Sequence, residues 1–225
     1  MSNPPNLLND DGSASMATAF LMSHHAFRRD LGRFAKALPV VSAADAARIE
    51  ALGAEWLNFR HSLHGHHEIE DARIFPGLKG QSAALAPTID RLTADHRRID
   101  PLLERGDRAF AALPGAAADA AGIIAELQAL LTDHLALEEA EVVPFLRGAR
   151  EFPPPATDAE ADLFAQGFAW SSHGVAQEVL DRVDEMLPAI LTSRLPAARA
   201  AFGERCARAW GTAAAGATRT VIPDA

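Results

Sequence analysis

The sequence predicts an all-α protein: an up-down four-helix bundle followed by a two-helix C-terminal extension. Three observations carry that expectation. The chain has 225 residues, is 48% hydrophobic yet only 6% aromatic, and has no tyrosine. Alanine and leucine lead the composition, which favours helices, whereas sheets lean on β-branched and aromatic residues. Four long stretches carry apolar residues at helical spacing and are closed by proline or glycine. Finally, histidine and glutamate recur four residues apart in two of those stretches, a spacing that has a meaning only on a helix.

The first helix is expected from about Met16 to Leu38, with Ser15 as N-cap and Pro39 ending it. The second runs from about Ala43 to Pro76, where Ser42 and Asp45 resemble a capping box with Asp in place of the usual Glu. The third runs from about Ser82 to Leu113, closed by Pro114-Gly115, and Pro101 inside it predicts a kink or a restart. The fourth runs from about Ala116 to Arg147, with Gly148 placed to end it. Phe152-Pro153-Pro154-Pro155 reads as a stiff extended linker. Thr157 and Glu160 make a capping box for a fifth helix reaching about Leu187, and a weaker sixth spans about Pro196 to Ala213. The domain reading is therefore a disordered tail over 1–15, a bundle over 16–150, a proline-rich linker over 151–157 and a helical extension over 158–225, loose after Gly216.

Charge and cysteine usage narrow the function classes. A formal net charge of −9, with a sequence pI near 5.4, disfavours nucleic acid and anionic membranes, both of which select clustered Lys and Arg. Cys206 is the one cysteine, so no intrachain disulfide forms and a reducing cytoplasm fits. Residues 1–15 lack a basic region followed by an apolar run, so no secretory signal is expected. No P-loop, no Gly-x-Gly-x-x-Gly and no Gly-x-Ser-x-Gly supports nucleotide binding or a hydrolase elbow.

The chemistry concentrates in the histidines. There are nine, and eight lie in the first four expected helices. His66, Glu70 and Pro76 form one His-x3-Glu-x5-Pro unit, and His134, Glu138 and Pro144 form a second with identical spacing. Residues four apart differ by about 40° around a helix, so each pair shares a face and both members reach one centre. Imidazole supplies a nitrogen ligand and a carboxylate can bridge two metals. Mixed N/O donors without thiolates suit iron or manganese, with zinc also accommodated. Helix bundles build di-metal sites from such inward side chains. His24 on the first helix and His96 on the third complete a set with a ligand on every helix. Taken singly, each is more simply a hydrogen-bonded core histidine; the paired units raise them to ligand candidates. Glu68, Asp71, Glu139 and Glu141 are read as surface charges or hydrogen-bond partners.

This pattern resembles the hemerythrin-like, or HHE cation-binding, family. The resemblance rests on His24 with Arg28-Arg29-Asp30-Leu31, His66-His67 with Glu70-Asp71 and Phe75-Pro76, Asp95-His96-Arg97-Arg98-Ile99, and His134 with Glu138-Glu139 and Pro144, and it covers roughly 16–147. It implies a four-helix bundle around two irons, joined by two bridging carboxylates and an oxo or hydroxo group. It implies a metal set of His24, His66, His67, Glu70, His96, His134 and Glu138, with Glu70 and Glu138 bridging. The family pattern places two histidines four apart on the third helix; here Asp100 and Leu92 flank His96 at those distances. His67 is the first candidate to replace the missing ligand, with His64 and Asp100 as runners-up. The implied function is binding of O2, or another small oxidant, as a carrier, store or sensor. Three alternatives stand beside it: a di-iron enzyme removing hydrogen peroxide or nitric oxide, a metal-responsive interaction module working through the C-terminal helices, and a bundle with zinc or no metal.

Overall fold

The structure, a computed structural model, describes residues 6–211. It is all-helical, with no strand among the described residues. Among the described residues ten α-helices follow in order: α1 Met16–Ala37, α2 Ala46–Ile69, α3 Phe75–Gln81, α4 Ala86–Ala111, α5 Ala117–Glu141, α6 Val143–Leu146, α7 Asp158–Ser172, α8 Gln177–Met186, α9 Ala189–Thr192 and α10 Leu195–Trp210. The chain divides into two compact units, one formed by residues 27–142 and the other by residues up to 26 together with those from 143 onward. The dividing points differ from the boundaries expected at 150 and 158.

In the first unit, side-chain pairs fix the helix directions. Phe34 packs on Trp56 and Phe27 on His66. Trp56 donates its indole N–H to Asp107 while His67 meets His96. Arg105 pairs with Glu126 while His96 faces His134. In each case numbers rise along one helix as they fall along the other, so α1–α2, α2–α4 and α4–α5 pack antiparallel. The core is aromatic: Trp56 stacks on Phe110 at 4.5 Å, and Phe34 lies edge-on to Phe110 at 5.0 Å. Such pairs contribute about 0.5–1.5 kcal/mol each beyond the area that they bury. Gly106 is the reason Trp56 fits, since a Cβ there would come 2.0 Å from the indole ring. Helix α5 is long and apolar enough to cross a bilayer by composition, but its buried face carries His134 and Glu138 and it lies against α4, which makes it a core helix of the unit.

Several element boundaries differ from expectation, each for a local reason. The N-cap of α2 is Asp45, whose carboxylate accepts from Arg48 N–H, so the helix starts at Ala46 rather than Ala43. The second expected helix does not continue unbroken to Pro76. Residues Glu70–Ile74 form a π-turn, in which Phe75 N–H bonds back to the Glu70 carbonyl. A wider turn accommodates Pro76, which has no N–H and would press on the carbonyl four residues earlier. The fourth helix stops at Glu141 because Pro144 imposes the same conflict, leaving the short α6. Pro101, by contrast, neither ends nor restarts α4.

In the second unit, residues 6–15 are not a loose tail. Leu7 is 1% exposed, its carbonyl accepts from Thr18 Oγ1 and from Arg147, and Asn9 donates to the Arg147 carbonyl. These bonds tie the segment to the start of α1, where Thr18 Oγ1 also accepts from Ser15 N–H. The rest of the expected tail, residues 1–5, lies outside the described residues. The Thr157–Glu160 capping box forms: Thr157 Oγ1 accepts from Glu160 N–H, and the Glu160 carboxylate accepts from Ala156 N–H. The fifth expected helix divides into α7 and α8 at Gly174, whose φ of 88° takes the chain through the left-handed region. The proline stretch is anchored by Phe152, which lies edge-on to Phe164 and Phe168. Gly211, at φ 80°, closes α10 before Ala213; Ala213 and the tail after Gly216 lie outside the described residues.

Candidate metal centre

Four segments of the first unit deliver the titratable groups. The last turn of α2 carries His66 and His67. The π-turn opens at Glu70. Helices α4 and α5 contribute His96 and the His134–Glu138 pair. Glu70, His134 and Glu138 are wholly inaccessible, and His67 and His96 are each 4% exposed. Burying so many ionisable groups together is costly unless they are paired or hold a metal.

Their ligand atoms form two sets. One atom each from His67, Glu70, His96 and His134 lie within 4.8 Å of one another, and so do atoms from His66, Glu70 and Glu138. Glu70 belongs to both. Its Oε1 lies 3.2 Å from His66 Nε2 and its Oε2 lies 3.5 Å from His96 Nε2. One carboxylate thus turns an oxygen toward each set, as a bridging ligand must. His134 Nε2 lies 3.2 Å from Glu138 Oε1, so both His-x3-Glu units place nitrogen and oxygen side by side. The rings are closely packed: His67 stacks on His96 at 3.9 Å, His96 stacks on Phe75 at 5.7 Å, and Phe27 lies edge-on to His66 at 5.3 Å.

The residues present fit a metal. Both carboxylate oxygens of Glu70, Nε2 of His96 and both ring nitrogens of His134 are buried without a hydrogen-bond partner among the described residues. Buried polar atoms are seldom left so. Cations between the two sets would satisfy them, and this N/O donor set without thiolate suits iron, manganese or zinc.

The electrostatics follow from burial. Desolvation pushes the Glu70 carboxyl up to about 8, against the pull of Glu138 and His134. Desolvation also lowers His66 to about 4, although the Glu138 carboxylate opposes it. His96 is lowered by burial, with Asp71 pulling the other way. Burial lowers His134 too, but the carboxylates of Glu138, Glu70 and Asp95 outweigh it and the net direction is up. Without metal, the centre therefore keeps a proton on Glu70 and neutral rings on His66 and His96 near pH 7.

Within the first unit the structure brings together His66, His67, Glu70, His96, His134 and Glu138. His24 lies on the part of α1 that belongs to the other unit, fully buried, its ring 4.5 Å from Phe20. His64, one runner-up for the missing ligand, is about half exposed and sits near Glu68 and Asp100 instead, and Asp100 is exposed as well. His25 donates from Nε2 to the His173 carbonyl at 3.2 Å, and His173 packs edge-on to Phe202. Cys206 is buried. Of the two readings given for Asp71, the structure shows the hydrogen-bond partner: its carboxylate accepts from both His96 and Thr93. Its position directly after Glu70 was the available signal, but a regular helix would have turned it about 100° away.

A family model described as Hemerythrin HHE cation binding domain matches residues 9–146 of the chain. No curated protein and no solved structure matches it significantly.

Proposed function

The chain belongs to the hemerythrin HHE cation-binding family, and from that premise we propose that it holds two iron ions and binds O2 as a carrier, store or sensor. The observation that carries this reading is the shared carboxylate of Glu70, with one oxygen facing His66 and the other facing His96. His67, His96 and His134 would hold one iron, and His66 the other, with Glu70 and Glu138 between them. His24 stays in this reading as the further ligand that the family resemblance adds. His67 then supplies the fifth histidine that the third helix lacks, which favours O2 binding over the peroxide or nitric oxide alternative.

A di-iron pair, when bound, would supply electrons to a small oxidant and take them back. The chain's own residues do the rest. Glu70 and Glu138 neutralise cationic charge in a site closed to water. Phe27 and Phe75 cover His66 and His96 with apolar surface. Three histidines stand in one ligand set and His66 in the other, the two sharing Glu70, and a small ligand would approach on the side of His66, which has fewer donors.

Elemental analysis of protein from iron-supplemented culture, with its visible spectrum in air, tests the proposal. About two irons per chain, with visible bands that respond reversibly to removal of O2, is the expected result for a bundle site of this kind. Zinc or no metal, with a featureless spectrum, overturns it. Steady turnover of hydrogen peroxide by the iron-loaded protein, lost in His66→Ala, would replace binding with the enzymatic reading.

A further inference from the structure

His96 is flanked at its two ring nitrogens by residues adjacent in sequence. Its Nε2 faces Glu70 Oε2 at 3.5 Å, and its Nδ1 lies 3.0 Å from Asp71 Oδ2. Both residues lie in the π-turn that starts at Glu70, and the two carboxylates reach opposite ends of the one ring. The other oxygen of Asp71 accepts from Thr93 Oγ1 at 3.1 Å, and Thr93 stands one turn before His96 on α4. Asp71 is thus fixed from α4 while it holds a ring of α4. A carboxylate only accepts, so Nδ1 must carry the proton and Nε2 is left free to ligate. His134 has no such arrangement, because its nearest second carboxylate, Asp95, stands 3.9 Å from Nδ1 and instead accepts from Arg98.

We propose that Asp71, steadied by Thr93, is a positioning residue that fixes the tautomer and orientation of His96, so that Nε2 is presented to the metal centre. The inference rests on the metal reading above. It assigns Asp71 no ligand role and no contact with O2. Outer carboxylates of this kind typically change metal affinity 10–100-fold.

The test uses the full chain with three substitutions. Asp71→Ala removes the acceptor. Asp71→Asn keeps an acceptor oxygen but makes it neutral. Glu68→Ala removes a neighbouring exposed carboxylate as a control. Metal affinity is measured by competition of a chelator for Co(II), and for Fe(II) without air. The His96 tautomer is read in metal-free protein from long-range 1H–15N correlations of 15N-histidine, assigned with His96→Gln. We expect affinity to fall about 10–100-fold in Asp71→Ala, less in Asp71→Asn, and to hold in Glu68→Ala. We also expect wild type to show His96 protonated at Nδ1, with Asp71→Ala giving a tautomer mixture. Unchanged affinity and an unchanged tautomer in Asp71→Ala overturn the inference while leaving the metal reading intact. If wild type takes up neither metal, the metal reading fails, and the tautomer in metal-free protein still decides whether Asp71 sets the ring.

Discussion

Glu70 concentrates the behaviour of the centre in one side chain. It belongs to both ligand sets, whereas His66 belongs to one of them, so their substitutions should differ in stoichiometry and not merely in degree. Glu70→Gln preserves shape but removes the anion, and we expect it to lose tight binding of both metals. His66→Ala should retain the metal held by His67, His96 and His134. Metal per chain after desalting, by elemental analysis, checks this, and equal loss in the two variants would refute a shared carboxylate. The protonation state adds a second expectation. With the Glu70 carboxyl near 8 and His134 raised, loading at pH 7 must displace protons, because metal ligands bind deprotonated. A pH indicator in weakly buffered solution should report proton release on metal addition, reduced in Glu70→Gln. The two His-x3-Glu units were legible in the sequence because helix periodicity alone brings residues four apart together. The contact of Asp71 with His96 was not, because it runs from the π-turn to α4, and helix periodicity speaks only for neighbours on one helix.

At the scale of elements, the long helices were legible from apolar spacing and from the prolines and glycines that bound them. The missed features share one cause. Pro76 and Pro144 sit where a continuous helix was expected, and the chain answers one with a π-turn and the other with a break between α5 and α6. Proline announces a conflict with the preceding turn but not its resolution, which is decided by packing. Packing also decides Gly106. Alanine is ordinarily the better helix former by about 1 kcal/mol, but here its Cβ would meet Trp56 at 2.0 Å and two further indole atoms inside 3.0 Å. The atoms in the way belong to a fully buried side chain whose N–H is bonded to Asp107, so the ring cannot simply swing aside. We expect Gly106→Ala to destabilise by about 1–3 kcal/mol, as overpacking does. Trp56→Phe removes the six-membered indole ring, so in that background Gly106→Ala should become neutral or favourable. Thermal unfolding of the four proteins in the cycle measures the coupling, and additivity would show that the close approach carries no energy.

For the whole molecule, the centre sets how stability responds to pH and metal. In metal-free protein, Glu70 is raised from 4.5 to about 8, so the unfolded chain ionises it first and stability is lost as pH rises across that window. His134 is raised as well and acts in the same sense above its ordinary value of 6.5. His66, lowered from 6.5 to about 4, acts oppositely: its stability is lost as pH falls from 6.5 toward 4. His96 is also lowered and follows His66. Between pH 6.5 and 8 Glu70 dominates and makes metal-free protein less stable as pH rises, with His134 acting in the same sense, while the opposing contributions of His66 and His96 fall mostly below this window. Metal reverses that trend, because the ionised carboxylate and the free imidazole are the forms that it takes. Loading at about 1,000-fold above the dissociation constant adds about 4 kcal/mol, which for a chain of this size is roughly 10 °C in Tm. The gap between loaded and metal-free Tm should therefore widen from pH 6.5 to 8, and EDTA should close it. Calorimetry at several pH values on both forms checks the sign. A gap that narrows with pH would mean that Glu70 is already ionised in the metal-free fold, and that burial does not govern its proton.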